Sequence, residues 1–197
     1  MRPSHTLMAR AEQGFTLVEA IVGIVLLAIS FSILTTLIYP IAEQSADQLH
    51  QVKAAELAQS VLNEIQNKSF DENSDRAGGI VRCAELGTSC STVMGKEGSE
   101  TRATFNDVDD YNGLQYGSLY GQGEVENSTG QVLSGYSGYA MQITVCNDAN
   151  YDGACYNAPP PPAIIPSNEV STAKLITVII TTPTGNSIPF ATYRDNF

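Results

Sequence analysis

Glu19 is the residue of this chain whose position most demands a chemical explanation. It is the only charged residue between Phe15 and Ala42, and Ala20 to Tyr39 carries no charge at all. A carboxylate in lipid costs about 2–3 kcal/mol even on lenient insertion scales, so such a group needs a partner. A cut between Gly14 and Phe15 would supply one, because the new α-amino group of Phe15 is a cation near Glu19 in the chain. In a bundle of copies, the Glu19 carboxylate can pair with the Phe15 amine of a neighbour. The pair is stronger at low dielectric than in water. It also rewards one axial register, since an unpaired Glu19 stays costly.

The elements that would position this pair read as follows. Residues 1–14, MRPSHTLMARAEQG, form a polar leader with Arg2, Arg10 and one acid, Glu12. The uncharged run behind Glu19 is interrupted only by Ser30, Ser32, Thr35, Thr36 and the small residues. At ~1.5 Å per residue, about twenty residues cross a bilayer core of roughly 30 Å. A secretory signal peptide has a shorter apolar region followed by a small-residue cleavage site. A plain signal anchor, with Arg2 and Arg10 held in the cytoplasm, leaves Glu19 unexplained. A cut ahead of the apolar run keeps the anchor.

Gly14-Phe15-Thr16-Leu17-Val18-Glu19 resembles the class III signal of type IV pilins and type II secretion pseudopilins. The resemblance implies cleavage after Gly14 by a prepilin peptidase, methylation of the Phe15 amine, and an assembly role for Glu19. It implies other pilins and minor pilins, the peptidase, the inner-membrane assembly machinery and membrane lipid as partners. It also implies a single-pass inner-membrane protein with a periplasmic head that later joins a surface pilus.

Pro40 is expected to kink or break the helix and to mark its exit from lipid. Beyond it, Ala54, Leu57, Ala58, Val61, Leu62 and Ile65 follow helical spacing and form one apolar face, which Leu49 and Val52 extend imperfectly. Gln51, Lys53, Glu56, Gln59, Asn63 and Gln66 line the other face, and His50 falls on that polar side. Tyr139 to Cys146 alternates with a period of two, Leu175 to Thr182 reads as a central strand, and Ile188 to Arg194 as an edge strand tolerating Pro189. Residues 67–79 read as a loop. The fold class is α+β: a long N-terminal helix whose second half covers an antiparallel sheet. The expected divisions are a leader over 1–14, a membrane and filament-core helix over 15–42, an amphipathic helix over 43–68 and a β-rich head over 69–197. Pro159 to Pro162 reads as a stiff surface spacer.

Four cysteines, Cys83, Cys90, Cys146 and Cys155, allow three pairings. Their short spacings favour Cys83–Cys90 and Cys146–Cys155, in keeping with the oxidising compartment that the resemblance implies. Zinc is disfavoured, since the spacings exceed C-x2-4-C and the histidines are only His5 and His50. Asp148-Ala149-Asn150-Tyr151-Asp152-Gly153 matches the first half of a calcium loop, with Asp148, Asn150 and Asp152 as ligands. The closing acid would fall at Pro159, so an acidic turn tied by Cys146 and Cys155 is the favoured reading, and no cofactor is assigned.

Phe105 to Leu114 is a turn-prone stretch of clustered acids, and Asp109 and Asp110 read as exposed. It resembles the F-D-D-V-D-D-Y-H/N-G stretch of D-type minor pilins from mannose-sensitive haemagglutinin (MSHA) pilus systems, with Asn106 in place of an Asp. A net charge of -11 with ten Lys and Arg argues against nucleic-acid binding. There is no G-x-S-x-G, P-loop or dinucleotide pattern, so an enzyme is not expected. The leading reading is a minor type IV pilin. The rivals are a type II secretion pseudopilin and an adhesin module that uses the Tyr111–Tyr139 region on sugars.

Overall fold

The computed structural model describes residues 14–75, 82–156 and 165–196, apart from the side chains of residues 37 and 39–43. The leader residues Arg2, His5, Arg10 and Glu12 and the Pro159–Pro162 spacer lie outside the described residues. The chain divides between Ala46 and Asp47 into two compact units.

Helix α1 (Leu17–Gln66) begins in the first unit and ends in the second. Thr16 starts it: its Oγ1 accepts the Glu19 N–H at 3.3 Å, and its carbonyl accepts the Ala20 N–H at 3.2 Å. This is an N-cap, which satisfies donors left over in the first helical turn. Leu17–Thr36 is long and apolar enough to cross a membrane, and every residue from 14 to 36 is exposed in the single chain. The hydroxyls inside this run bond back to the helix. Ser30 donates to the Leu26 carbonyl at 2.8 Å and Thr36 to that of Ile33 at 2.8 Å. Thr35 reaches the carbonyls of both Phe31 and Ser32. Bonded hydroxyls escape most of the cost of an apolar surrounding. Pro40 does not break the helix; α1 continues through it. A proline removes one hydrogen bond from a helix, and a long helix absorbs that loss.

In the second unit the helix is striped. Ala54, Leu57, Ala58, Val61 and Ile65 are buried, while Leu49 and Val52 are 60% and 66% exposed, so the stripe begins at Ala54. The stripe packs on a four-stranded antiparallel sheet in the order β1-β2-β3-β4. The strands are β1 (Gln115–Tyr116), β2 (Ala140–Asn147), β3 (Ala173–Thr181) and β4 (Ser187–Asp195). Cross-strand pairs Met141–Ile180, Ile143–Val178 and Val145–Ile176 present six buried side chains to the helix. The alternation visible in both strands is therefore the alternation between core and outer face. β4 is an edge strand, which is where Pro189 is tolerated. Gly117 must be glycine: its φ is +98°, and a Cβ there would lie 2.7 Å from the Ala140 Cα and the Tyr139 carbonyl.

Leu57→Ala should cost about 3 kcal/mol by opening a cavity between helix and sheet. Leu49→Ala should change stability by less than about 0.5 kcal/mol. Urea unfolding of the full chain in detergent, followed by near-UV circular dichroism, measures both. Equal losses would place the start of the apolar stripe wrongly.

Candidate functional site

The residues proposed for processing and assembly sit at the start of α1. Gly14, Phe15 and Glu19 are all exposed, and the Phe15 side chain is 83% exposed. Glu19 stands in the first helical turn, where the dipole of the aligned peptide groups favours negative charge. The cap by Thr16 was not anticipated. Its signal is the T-x-x-E spacing of Thr16 and Glu19, which marks helix starts. The same four residues therefore begin the helix and hold Glu19 in its first turn.

The acidic stretch after Phe105 is buried, which overturns its reading as an exposed loop. Phe105, Asp107, Val108, Asp109, Asp110 and Tyr111 are all buried, with a 3-10 turn at Asp109–Tyr111. The stretch is stitched to both neighbours. Val108 N–H donates to the Ser69 carbonyl at 3.0 Å, just beyond the helix end. Gly113 N–H donates to Ile143 and Ile143 N–H to Leu114, which ties it to β2. Asn112 Oδ1 accepts the Val145 N–H at 3.0 Å. Within it, Asp110 Oδ2 accepts the N–H groups of Asn106 and Asp107, and Asp107 Oδ1 accepts the N–H of Asp110. These acids are buried because they build the turn and because a cation is buried with them.

That cation is Lys174, fully buried at the start of β3. Its Nζ lies 2.5 Å from Asp109 Oδ1 and 3.5 Å from Asp71 Oδ2, and it donates to the Phe70 carbonyl at 2.7 Å. It also stands 4.4 Å from the centroid of the Phe70 ring, within cation–π range. Lys174 shares the inward parity of Ile176, Val178 and Ile180, so the period of two already pointed to a buried lysine. Asp109 is raised to about 6: burial raises it, Lys174 pulls against this, and the charges of Asp71 and Asp110 add to the rise. Burial, followed by the charges of Asp109 and Asp110, raises Asp107 to about 7.

A second ion pair clamps the helix. Arg102 donates from both terminal nitrogens to the two oxygens of Glu64, at 2.5 and 2.6 Å, and the Tyr111 hydroxyl donates to Glu64 Oε1 at 2.6 Å. The guanidinium lies 5.0 Å from the Tyr111 ring centroid. Burial raises the Glu64 carboxyl, but the bonds from Arg102 and Tyr111 and the charges of Arg102 and Lys68 outweigh it and hold it below the usual range. His50 is not on the solvent side: its Nδ1 lies 2.8 Å from the Tyr139 hydroxyl.

Disulfides join Cys83 to Cys90 and Cys146 to Cys155. The second closes the loop of Asp148, Asn150 and Asp152. Asp148 Oδ1 accepts the Asp152 N–H, while Oδ2 accepts the Gly153 N–H and, at 2.6 Å, the Tyr193 hydroxyl. Asn150 donates to Asp152 Oδ2, and Asp152 Oδ1 accepts the Ala154 N–H. The carboxylate oxygens of Asp148 and Asp152 are engaged in closing the turn. Burial raises the Asp148 carboxyl, but the Tyr193 hydroxyl and the backbone N–H groups outweigh it and keep it low.

The model of the prokaryotic N-terminal methylation motif matches residues 9–35. No curated protein and no solved structure matches the chain significantly. The motif, the apolar helix behind it and the antiparallel sheet together are pilin-like, and the motif supports a prepilin-processed subunit of the type IV pilin kind. It points to a structural role, to other pilins and the prepilin peptidase as partners, and to membrane anchoring before incorporation into a pilus.

Because Glu64 titrates below its ordinary value near 4.5, its charge stabilises the fold above that pH, and this contribution is lost as the pH falls through the lowered value. Glu64→Gln should therefore cost about 3 kcal/mol at pH 7, with the gap to the parent closing towards pH 3. Urea unfolding of both proteins across that range reads the gap. A gap unchanged by pH would mean that the carboxylate charge does not stabilise the fold.

Proposed function

We propose that this chain is a minor subunit of an MSHA-like type IV pilus. It is inserted in the inner membrane with its head in the periplasm, cut between Gly14 and Phe15, and methylated at Phe15. The apolar helix then carries it into a filament or a priming complex. The observation that carries this reading is the methylation motif at residues 9–35, which runs into an apolar helix exposed along its length. Such a helix cannot remain in water as a single chain. Lipid before assembly and other apolar helices after it are the two surroundings that remove it from water.

Glu19 is the register acid in this reading. In a bundle its carboxylate leaves water, and the methylated amine of a neighbour's Phe15 supplies the compensating charge. The N-cap by Thr16 sets Glu19 in the first turn of the helix. The tie to MSHA-like systems rests on the Phe105–Leu114 resemblance. Burial of that stretch gives it a reason to keep its residue types: they build the seam between helix and sheet.

The cell-derived protein should begin at Phe15 and carry one added methyl group, as read by intact-protein mass spectrometry. Met1 still attached, or a cut within or beyond the apolar helix, would sink the reading. Glu19→Ala should be cut normally yet fall about tenfold or more in the sheared filament fraction, measured by immunoblot. Normal incorporation of that variant would remove the pairing role.

A further inference from the structure

Two groups of carboxylates in the head lie close together. One oxygen from each of Glu97, Glu100 and Asp110 falls within 4.8 Å of the others, and the same holds for Glu72, Glu97 and Asp107. Glu97 belongs to both groups. Asp110 and Asp107 are 2% and 0% exposed. Each spends one oxygen on the backbone N–H groups of its own turn and leaves the other, Asp110 Oδ1 and Asp107 Oδ2, buried with no hydrogen-bond partner. Asn106 donates to Glu100 Oε1 at 3.0 Å, and its own Oδ1 is buried and unpartnered as well. Unpartnered buried oxygens of this kind are rare and costly in folded proteins.

We infer that Glu97, Glu100 and Asp110 bind one calcium ion, flanked by Asp107 and Glu72. Oxygens that ligate calcium at 2.3–2.6 Å lie no more than about 5 Å apart, which is the spread these side chains show. The donors are all hard oxygens, which select calcium, magnesium or manganese over zinc. Several carboxylates brought together by a turn and a loop suit calcium's irregular, high coordination better than magnesium's strict octahedron. Glu100 and Asp110 also line an open cleft of about 440 Å³, which gives the ion an entry path. Burial, followed by the charges of Asp110, Glu100 and Glu72, raises Glu97 to about 7, and a dication would relieve that repulsion. The site is separate from the Asp148–Asp152 turn, whose carboxylate oxygens are already bonded. It does not depend on the chain being a pilus subunit.

The test is calorimetric titration of calcium chloride into the full chain in detergent, after treatment with a chelator and dialysis. One calcium ion should bind per chain, magnesium should bind at least tenfold more weakly, and calcium should raise the thermal unfolding midpoint. Glu97→Gln with Glu100→Gln should lower calcium affinity at least tenfold, and Asp152→Asn should leave it unchanged. Glu97 is exposed, so Glu97→Gln alone gives the same reading with the fold kept. The inference is overturned by no saturable binding up to about 10 mM, well above the range of extracellular calcium modules. It is equally overturned by affinity unchanged in Glu97→Gln, by loss of binding in Asp152→Asn, or by equal affinity for magnesium.

Discussion

A carboxylate taken out of water must meet a positive charge, a set of donated hydrogen bonds or a proton. The second unit of this chain meets that constraint in different ways at neighbouring places. Glu64 takes the full set: a guanidinium in two-point contact and a tyrosine hydroxyl, which together keep it ionised. Asp109 and Asp71 share Lys174, one ammonium between two acids, and burial keeps Asp109 raised despite it. Asp148 relies on donors alone. The head is therefore held together by polar groups whose costs are offset in pairs, with the apolar helix–sheet layer behind them supplying the main driving force.

The same constraint gives the start of α1 its meaning. In a single chain Glu19 is exposed and costs nothing. The burial problem arises only when the apolar helix enters lipid or a bundle. A carboxylate placed there discourages insertion unless a cation accompanies it, and a terminal amine can exist at Phe15 only after the leader is removed. In the proposed pathway, processing therefore creates the partner that makes assembly favourable, and an unprocessed chain lacks it. A lysine elsewhere in the helix could not act as the same switch, because it would be charged before and after the cut.

The α+β class was legible because it rests on periodicity. The alternation of Met141, Ile143 and Val145 and the helical spacing of Leu57, Val61 and Ile65 both survive as buried faces. The apolar run and the residues around Gly14 were legible because their chemistry is local. The acidic stretch was not. Runs of Asp usually face water, and nothing within Phe105–Leu114 announces that Lys174, far along the chain, will be buried beside it. Recognising it required asking why a lysine sits at an inward position of an apolar strand. Glu97 and Glu100 were missed for a similar reason: their partner acids lie in another turn, so no spacing in the sequence joins them.

The two parts of α1 solve different burial problems with one element. From Leu17 to Thr36 the helix is apolar all round, so no single sheet could cover it, and only a surrounding medium can. From Ala54 to Ile65 it is apolar on one side, and the inner face of β2 and β3 covers that side completely. If about 1.5–3 kcal/mol is gained for each large apolar side chain removed from water, the first part leaves unrealised a stabilisation larger than the net stability of an ordinary domain. That unrealised term is unavailable to the isolated chain and fully available to an ensemble of chains. A protein built this way completes its energetics only in company, which is the physical content of being a subunit.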